Sequence, residues 1–301
     1  QPMRELSQKY SIVQSALASA ERIFQLLDSN ETLPLAATPL RPASGKGEIE
    51  FRDVRFGYES EHPVLDKFSL KIPSGQTLAI VGATGSGKTT IINLLERFYD
   101  PDAGEILLDG TDLRDLDPDW LRRQVGLVMQ DVLLIPGTIR ENVLLDVEKT
   151  DGALWEILEK AQLAHFIRQL PEGLATQVGE GGMDLSAGQR QLLAFARVLA
   201  REPRILVLDE ATASVDPESE MLTEQAIGAT FAGRTNIVIA HRLSTIRRAD
   251  HILVMAEGKI IEQGSHAELA VANGAYRRLL TIFSAGQEHD RIIGTSEIDQ
   301  K

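Results

Sequence analysis

The chain has 301 residues, 43% hydrophobic and 25% charged, with a formal net charge of -13 and no cysteine. That composition leaves room for one large or two modest globular domains. It excludes disulfides, thiolate metal sites and thiol nucleophiles, and the acidic balance argues against nucleic acid as a partner.

No apolar run is long enough to cross a bilayer, and there is no basic-then-apolar leader. The sequence starts at Gln1 rather than methionine, which suggests a natural start upstream. In the first segment Leu6, Tyr10, Val13, Leu17, Ala20, Phe24 and Leu27 recur at alternating spacings of four and three, predicting one long helix with an apolar stripe. Two readings stay open: a helix docked on its own domain, or the end of a longer helix. Ser29 to Gly47 is rich in proline, alanine and glycine and reads as a linker, so a compact domain is expected from about Glu48.

Strands follow at "GEIEFRDVRFGY", "VLDKFSLKI", "QTLAIVG", "GEILLDG" and "QVGLVMQ". Residues from about 138 to 200 are mostly helical, which reads as a helical subdomain. Three further apolar strands lie at "RILVLDE", "TNIVIAH" and "HILVMAEG", and the last turns at Glu257 and Gly258 into "KIIEQGS" as a hairpin. A closing helix runs to about residue 284, and the polar stretch 285–301 reads as a frayed tail. Alternating strands and helices predict an α/β fold, a mostly parallel sheet covered on both faces, with an added antiparallel β layer and the helical subdomain.

"GATGSGKTT" spans Gly82, Ala83, Thr84, Gly85, Ser86, Gly87, Lys88, Thr89 and Thr90. It fits the phosphate-loop pattern and stands, as that pattern requires, between a strand and a helix. The glycines let successive N–H groups turn inward on phosphate oxygens, and the helix start adds its positive end. Lys88 brings a full charge to the β- and γ-phosphates, and Thr89 offers a hydroxyl to Mg2+. A chance glycine-rich turn is the competing reading, and the flanking strand and helix argue against it.

A buried strand that ends on two acids needs a use for them. Asp209 is placed to hold Mg2+ through water, and Glu210 to orient and polarise an attacking water. Ligands of parallel sheets gather at carboxyl strand ends. Two more strands end on polar groups there: Gln130, which can reach Mg2+ or the water, and His241, which can meet a γ-phosphate. Tyr58 ends the first strand and either stacks on a base or caps the small sheet. A second helix start, Ser186 followed by Ala187, Gly188 and Gln189, is a further anion-binding candidate.

In this order, "GATGSGKT", Gln130, "LSAGQ" (Leu185 to Gln189), "ILVLDE", "SVD" (Ser214 to Asp216) and His241 resemble the nucleotide-binding domain of ATP-binding cassette transporters over about residues 48–283. The resemblance implies two cassettes paired head to tail, as a homodimer or heterodimer. Each ATP then lies between the loop of one and Ser186, Gly188 and Gln189 of the other, with Asp216 in the loop that crosses the interface. "RFGYESEHPVLDKFSLKI" resembles the exporter stretch with an adenine-stacking tyrosine, here Tyr58. "SALASAERIFQLLD" resembles the helix leaving the last membrane segment, and "VGEGG" the loop that contacts the membrane domain. The implied function is ATP binding and hydrolysis, with Mg2+, driving export across a membrane. The implied partners are a second cassette and a transmembrane domain, and the implied place is the cytoplasmic face of a membrane, the bacterial inner membrane. Two positions depart from the pattern: Ala187 stands for a usual glycine and Gly181 for a common arginine. The alternatives are a non-transport ATPase of the same family, acting as a regulatory or binding module, and another phosphate-loop enzyme such as a kinase or GTPase. The "LSAGQ" stretch and His241 argue against the latter.

Overall fold

A computed structural model describes residues 2–28, 33–43, 45–59, 61–129, 132–209, 217–240 and 242–282. The chain divides into two units, residues 1–34 and residues 35–301. In the first, α1 (Pro2–Asp28) is one 27-residue helix. Its only helix breaker is Pro2, at the first turn where proline is tolerated. Tyr10, Val13, Leu17 and Phe24 of the predicted stripe are each at least half exposed.

The second unit begins with β1 (Ile49–Phe56), β2 (Leu65–Ile72) and β3 (Thr77–Gly82), then α2 (Lys88–Leu95), β4 (Ala103–Leu108) and β5 (Thr111–Asp112). Next come α3 (Pro118–Gln124), β6 (Val125–Val128), β7 (Gly137–Thr138), α4 (Ile139–Leu144), α5 (Asp151–Lys160), α6 (Ala164–Gln169) and β8 (Gln177–Val178). The remainder is α7 (Ala187–Arg201), β9 (Ile205–Asp209), α8 (Pro217–Phe231), β10 (Thr235–Ile239), α9 (Leu243–Arg248), β11 (His251–Ala256), β12 (Lys259–Gly264) and α10 (His266–Val271).

The larger sheet runs β12-β11-β3-β10-β9-β6. All its pairings are parallel except β11 with β12, the predicted hairpin. The smaller sheet, β2-β1-β4-β5, is antiparallel. The parallel strands are buried on both faces, which is why they read as continuous apolar runs. Leu78 and Ile80 of β3, with Ile205 and Val207 of β9, pack on the small sheet and α2. Their alternates Ala79, Val81, Leu206 and Leu208 pack toward the helical side, with Phe195 of α7 and Leu154 of α5. The period of two along each strand thus divides the core into two layers.

Two features differ from the sequence reading. The two-residue strands β7 and β8 pair with each other, and strands so short carry no periodicity to detect. Within the stretch read as a linker, the Leu40 N–H donates to the Asp115 carbonyl and the Asp117 N–H to the Leu40 carbonyl, both at 2.9 Å. Arg41 pairs with Asp117 at 2.8 Å. Backbone groups need partners whatever the composition, so an extended proline-rich segment can still bond along the edge of a domain.

Candidate nucleotide site

The phosphate loop leaves β3 at Gly82 and enters α2 at Lys88. A side chain at Gly82 would put its Cβ 2.3 Å from the Met255 carbonyl oxygen of neighbouring β11, so only glycine fits this crossing. Gly87 sits in the left-handed region (φ 98°), and α2 has no side-chain cap at its start. The first N–H groups of the helix are therefore not claimed by a capping side chain. Ser86, Gly87, Lys88 and Thr90 are buried, while Ala83, Thr84, Gly85 and Thr89 face solvent along the rim. The Lys88 ammonium curls over the loop and donates to the Gly82 carbonyl (2.8 Å) and the Ala83 carbonyl (2.9 Å). Burial holds Lys88 below the usual lysine range, and the nearby Asp209 carboxylate acts against that shift.

The influence of Asp209 on Lys88 follows from the topology. The strands β3, β10, β9 and β6 are consecutive neighbours in the sheet. Ile239 stands opposite both Ile80 and Asp209, and Val128 stands opposite Leu208. The carboxyl ends of these strands therefore open on one edge, although they are scattered from residue 82 to residue 239 along the chain. Gln130, Glu210, Asp216 and His241 lie outside the described residues. The strands that run toward Gln130, Glu210 and His241 are those adjacent ones.

Tyr58 comes to the same edge from the small sheet. Its hydroxyl lies 3.4 Å from Thr90 Oγ1 and accepts from Asn93 Nδ2 at 2.9 Å, both on α2. Its ring packs edge-on against Phe56 and Tyr99, with centroids 5.1 and 5.2 Å away, and stays 50% exposed. Tyr58 thus joins the small sheet's aromatic cluster and leaves half of its surface exposed beside α2. Asn93 and Tyr99 escaped the sequence reading. Asn93 sits three residues after Thr90 on α2, a spacing that puts both on one face but does not name Tyr58 as their partner.

The second helix start is built differently. The Ser186 hydroxyl accepts from the Gln189 N–H (3.2 Å), and the Gln189 carboxamide accepts from the Ser186 N–H (2.9 Å). This closes a capping box at the head of α7. Gly188 is buried in the first turn, and Ser186 and Ala187 are exposed. As an acceptor in that box, the serine oxygen keeps its own O–H as a donor. The structure thus sets Lys88, Asp209, Tyr58 and Thr90 around one edge, with the capped start of α7 as a separate element.

Residues 65–213 match the ABC transporter family. A putative ABC transporter ATP-binding protein of Streptococcus pneumoniae is 43% identical over 281 residues, which cover 93% of this chain and 48% of that protein. The fatty acid ABC transporter ATP-binding/permease protein of Mycobacterium bovis is 43% identical over 281 residues, covering 92% of this chain and 44% of that protein. A solved structure of a bacterial Atm1-family ABC exporter with ATP bound superposes with a TM-score of 0.79 at 36% identity, covering 90% of this chain and 48% of that one. The chain thus spans about half the length of the relatives it matches. It belongs to the ABC transporter family, as an ATP-binding and ATP-hydrolysing nucleotide-binding domain closely related to those of ABC exporters.

Proposed function

We propose that this domain is the engine of a membrane exporter and works with a second cassette, the two closing around two ATP molecules. The backbone N–H groups of residues 82–89 and the start of α2 cradle the β- and γ-phosphates, and Lys88 exchanges its carbonyl partners for phosphate oxygens. Tyr58 stacks on the adenine, with its hydroxyl held by Asn93. Ser186, Gly188 and Gln189 close over the γ-phosphate of the ATP on the other cassette, through the serine O–H and the helix start. Asp216 lies in the segment facing that interface.

Among the described residues no group of three or more His, Cys, Asp or Glu could hold a metal by itself. Thr89 and Asp209 fit Mg2+, which takes few protein ligands and completes its shell from phosphate and water oxygens. When bound there with Gln130, Mg2+ neutralises charge on the phosphates. Glu210 takes the proton of a water as its oxygen bonds to the γ-phosphorus and the bond to the β–γ bridging oxygen breaks, releasing ADP and phosphate. His241 donates to the γ-phosphate through that change. ATP must favour the closed pair over the open one by several kcal/mol for closure to do work. The domain works at the cytoplasmic face of a membrane, against a transmembrane domain of the exporter. The exposed apolar stripe of α1 supports reading that helix as the end of a membrane segment.

The observation that carries the reading is the convergence of the phosphate loop and Asp209 at the ends of β3 and β9, the two strands that flank β10. Its test is Glu210→Gln. This variant is expected to bind ATP and sediment as an ATP-dependent dimer while hydrolysis falls by about 10²–10⁴-fold. Near-normal turnover in that variant would remove Glu210 from the role of base.

A further inference from the structure

We infer that Arg197 and Asn142 are positioning residues: together they fasten the segment after Gln130 to the helix that begins at Ser186, so that the two move as one body. Asn142, 1% exposed on α4, holds both backbone groups of Ile135. Its Nδ2 donates to the Ile135 carbonyl (2.7 Å), and its Oδ1 accepts from the Ile135 N–H (2.9 Å). One carboxamide thus replaces a neighbouring strand. A second Nδ2 bond reaches the Thr138 carbonyl at 3.1 Å. Arg197, on α7, completes the clamp: Nε donates to the Asn142 carbonyl (2.6 Å), Nη2 to Asn142 Oδ1 (2.9 Å) and Nη1 to the Leu133 carbonyl (2.7 Å).

The Asn142 carbonyl lies in the last turns of α4, where no further helical N–H can meet it, and the guanidinium supplies the missing donor. Leu133 and Ile135, both held by their backbones, keep side chains 77% and 48% exposed. Burial and then the neighbouring charge of Arg201 hold the guanidinium below the usual arginine range. Among the described residues it pairs with no carboxylate. A charge kept under that penalty, with three bonds in one planar fork, suits fixed geometry better than packing, and a lysine cannot reproduce the fork. A displacement of α7 therefore pulls on Leu133, three residues from Gln130. The consequence for hydrolysis rests on the role proposed above for Gln130; the mechanical link does not.

The test uses the full 301-residue chain. Amide exchange at Ile135 is followed in Arg197→Met, Arg197→Lys, Asn142→Leu and the double variant, together with the Mg2+ dependence of ATP hydrolysis. Because the protein has no cysteine, Leu133→Cys with a nitroxide reports loop mobility from one site. In Arg197→Met and Asn142→Leu, exchange at Ile135 should rise at least about tenfold while β3 and β10 keep their protection. Arg197→Lys should fall between, and the double variant should be less than additive. Arg197→Met should also need severalfold more Mg2+ for half-maximal hydrolysis, with KM for ATP little changed. Unchanged exchange and mobility at residues 133–135 would overturn the clamp, as would a uniform rise across the domain. A loosened segment with normal Mg2+ dependence would overturn the positioning role. Gln130→Ala separates the two ideas: if it leaves Mg2+ dependence untouched with Ile135 still protected, the role of Gln130 fails and the clamp is judged by exchange and mobility alone.

Discussion

The two helix starts solve the same problem in opposite ways. The head of α2 has a left-handed glycine at its N-cap and no capping side chain, so its backbone N–H groups are left for the anion proposed there. The head of α7 is closed by a complete capping box and offers a hydroxyl hydrogen instead. A bare start is suited to grip a nucleotide permanently within one chain. A capped start is stable by itself and gives up little when a phosphate arrives and leaves. The difference fits a site in which one half holds the ligand and the other half closes on it.

The largest expected effect breaks the first half. Lys88→Ala removes the only full charge within the loop, and hydrolysis by the chain should fall by about 10²–10³-fold, measured as phosphate release at saturating ATP. A fall of less than tenfold would mean that the backbone cradle alone suffices.

The far end of α2 gives the next effect. Glu96 forms the C-cap of that helix, is 5% exposed, and has one carboxyl oxygen buried without a hydrogen-bond partner. Burial raises its pKa from 4.5 to about 7, against the pull of Arg122. The folded state holds this proton while the unfolded state releases it near pH 4.5. Stability therefore falls as pH rises from about 4.5 to about 7 and loses nothing more from this group above that. Glu96→Gln should remove the slope and stabilise the domain at pH 8 by up to about 3 kcal/mol, read from denaturant midpoints across pH. Parallel pH profiles for the two proteins would show that Glu96 does not titrate there.

Ser186→Ala sharpens the comparison, because the serine has two jobs. Losing the cap should cost about 1 kcal/mol of stability. Losing a bond to a charged phosphate should cut hydrolysis by about 10–100-fold, with ATP binding to the isolated chain unchanged. If stability falls and hydrolysis does not, the hydroxyl is a cap and nothing more. The smallest effect is expected at Tyr58. Tyr58→Phe keeps the ring and loses the Asn93 bond, whereas Tyr58→Ala should raise KM for ATP by about tenfold. Equal behaviour of the two variants would favour the hydroxyl over the ring.

The phosphate loop was readable because its pattern is contiguous: nine residues, from the last of β3 to the first turn of α2, carry the whole motif. Asp209 at the end of β9 stood out for a similar reason, since charge at the end of an apolar run is locally anomalous. Arg197 and Asn142 gave no such signal. Their partners are backbone carbonyls and N–H groups, which every residue carries, and Leu133 is 64 positions from Arg197. Asn93 and Tyr99 were hidden because ordinary helix and turn positions do not say that Tyr58, two residues past β1, will lie beside them.

The amino-acid sequence by itself determined the longer strands, the main helices, the phosphate-loop motif and the family, because periodicity, glycine placement and short motifs act over a few residues. Only the tertiary structure decided that β3, β10, β9 and β6 lie side by side, that Asp209 stands near Lys88, and that the head of α7 is already capped. Neighbours in a sheet are chosen by burial on both faces and by crossover geometry, and neither is written in the order of the chain.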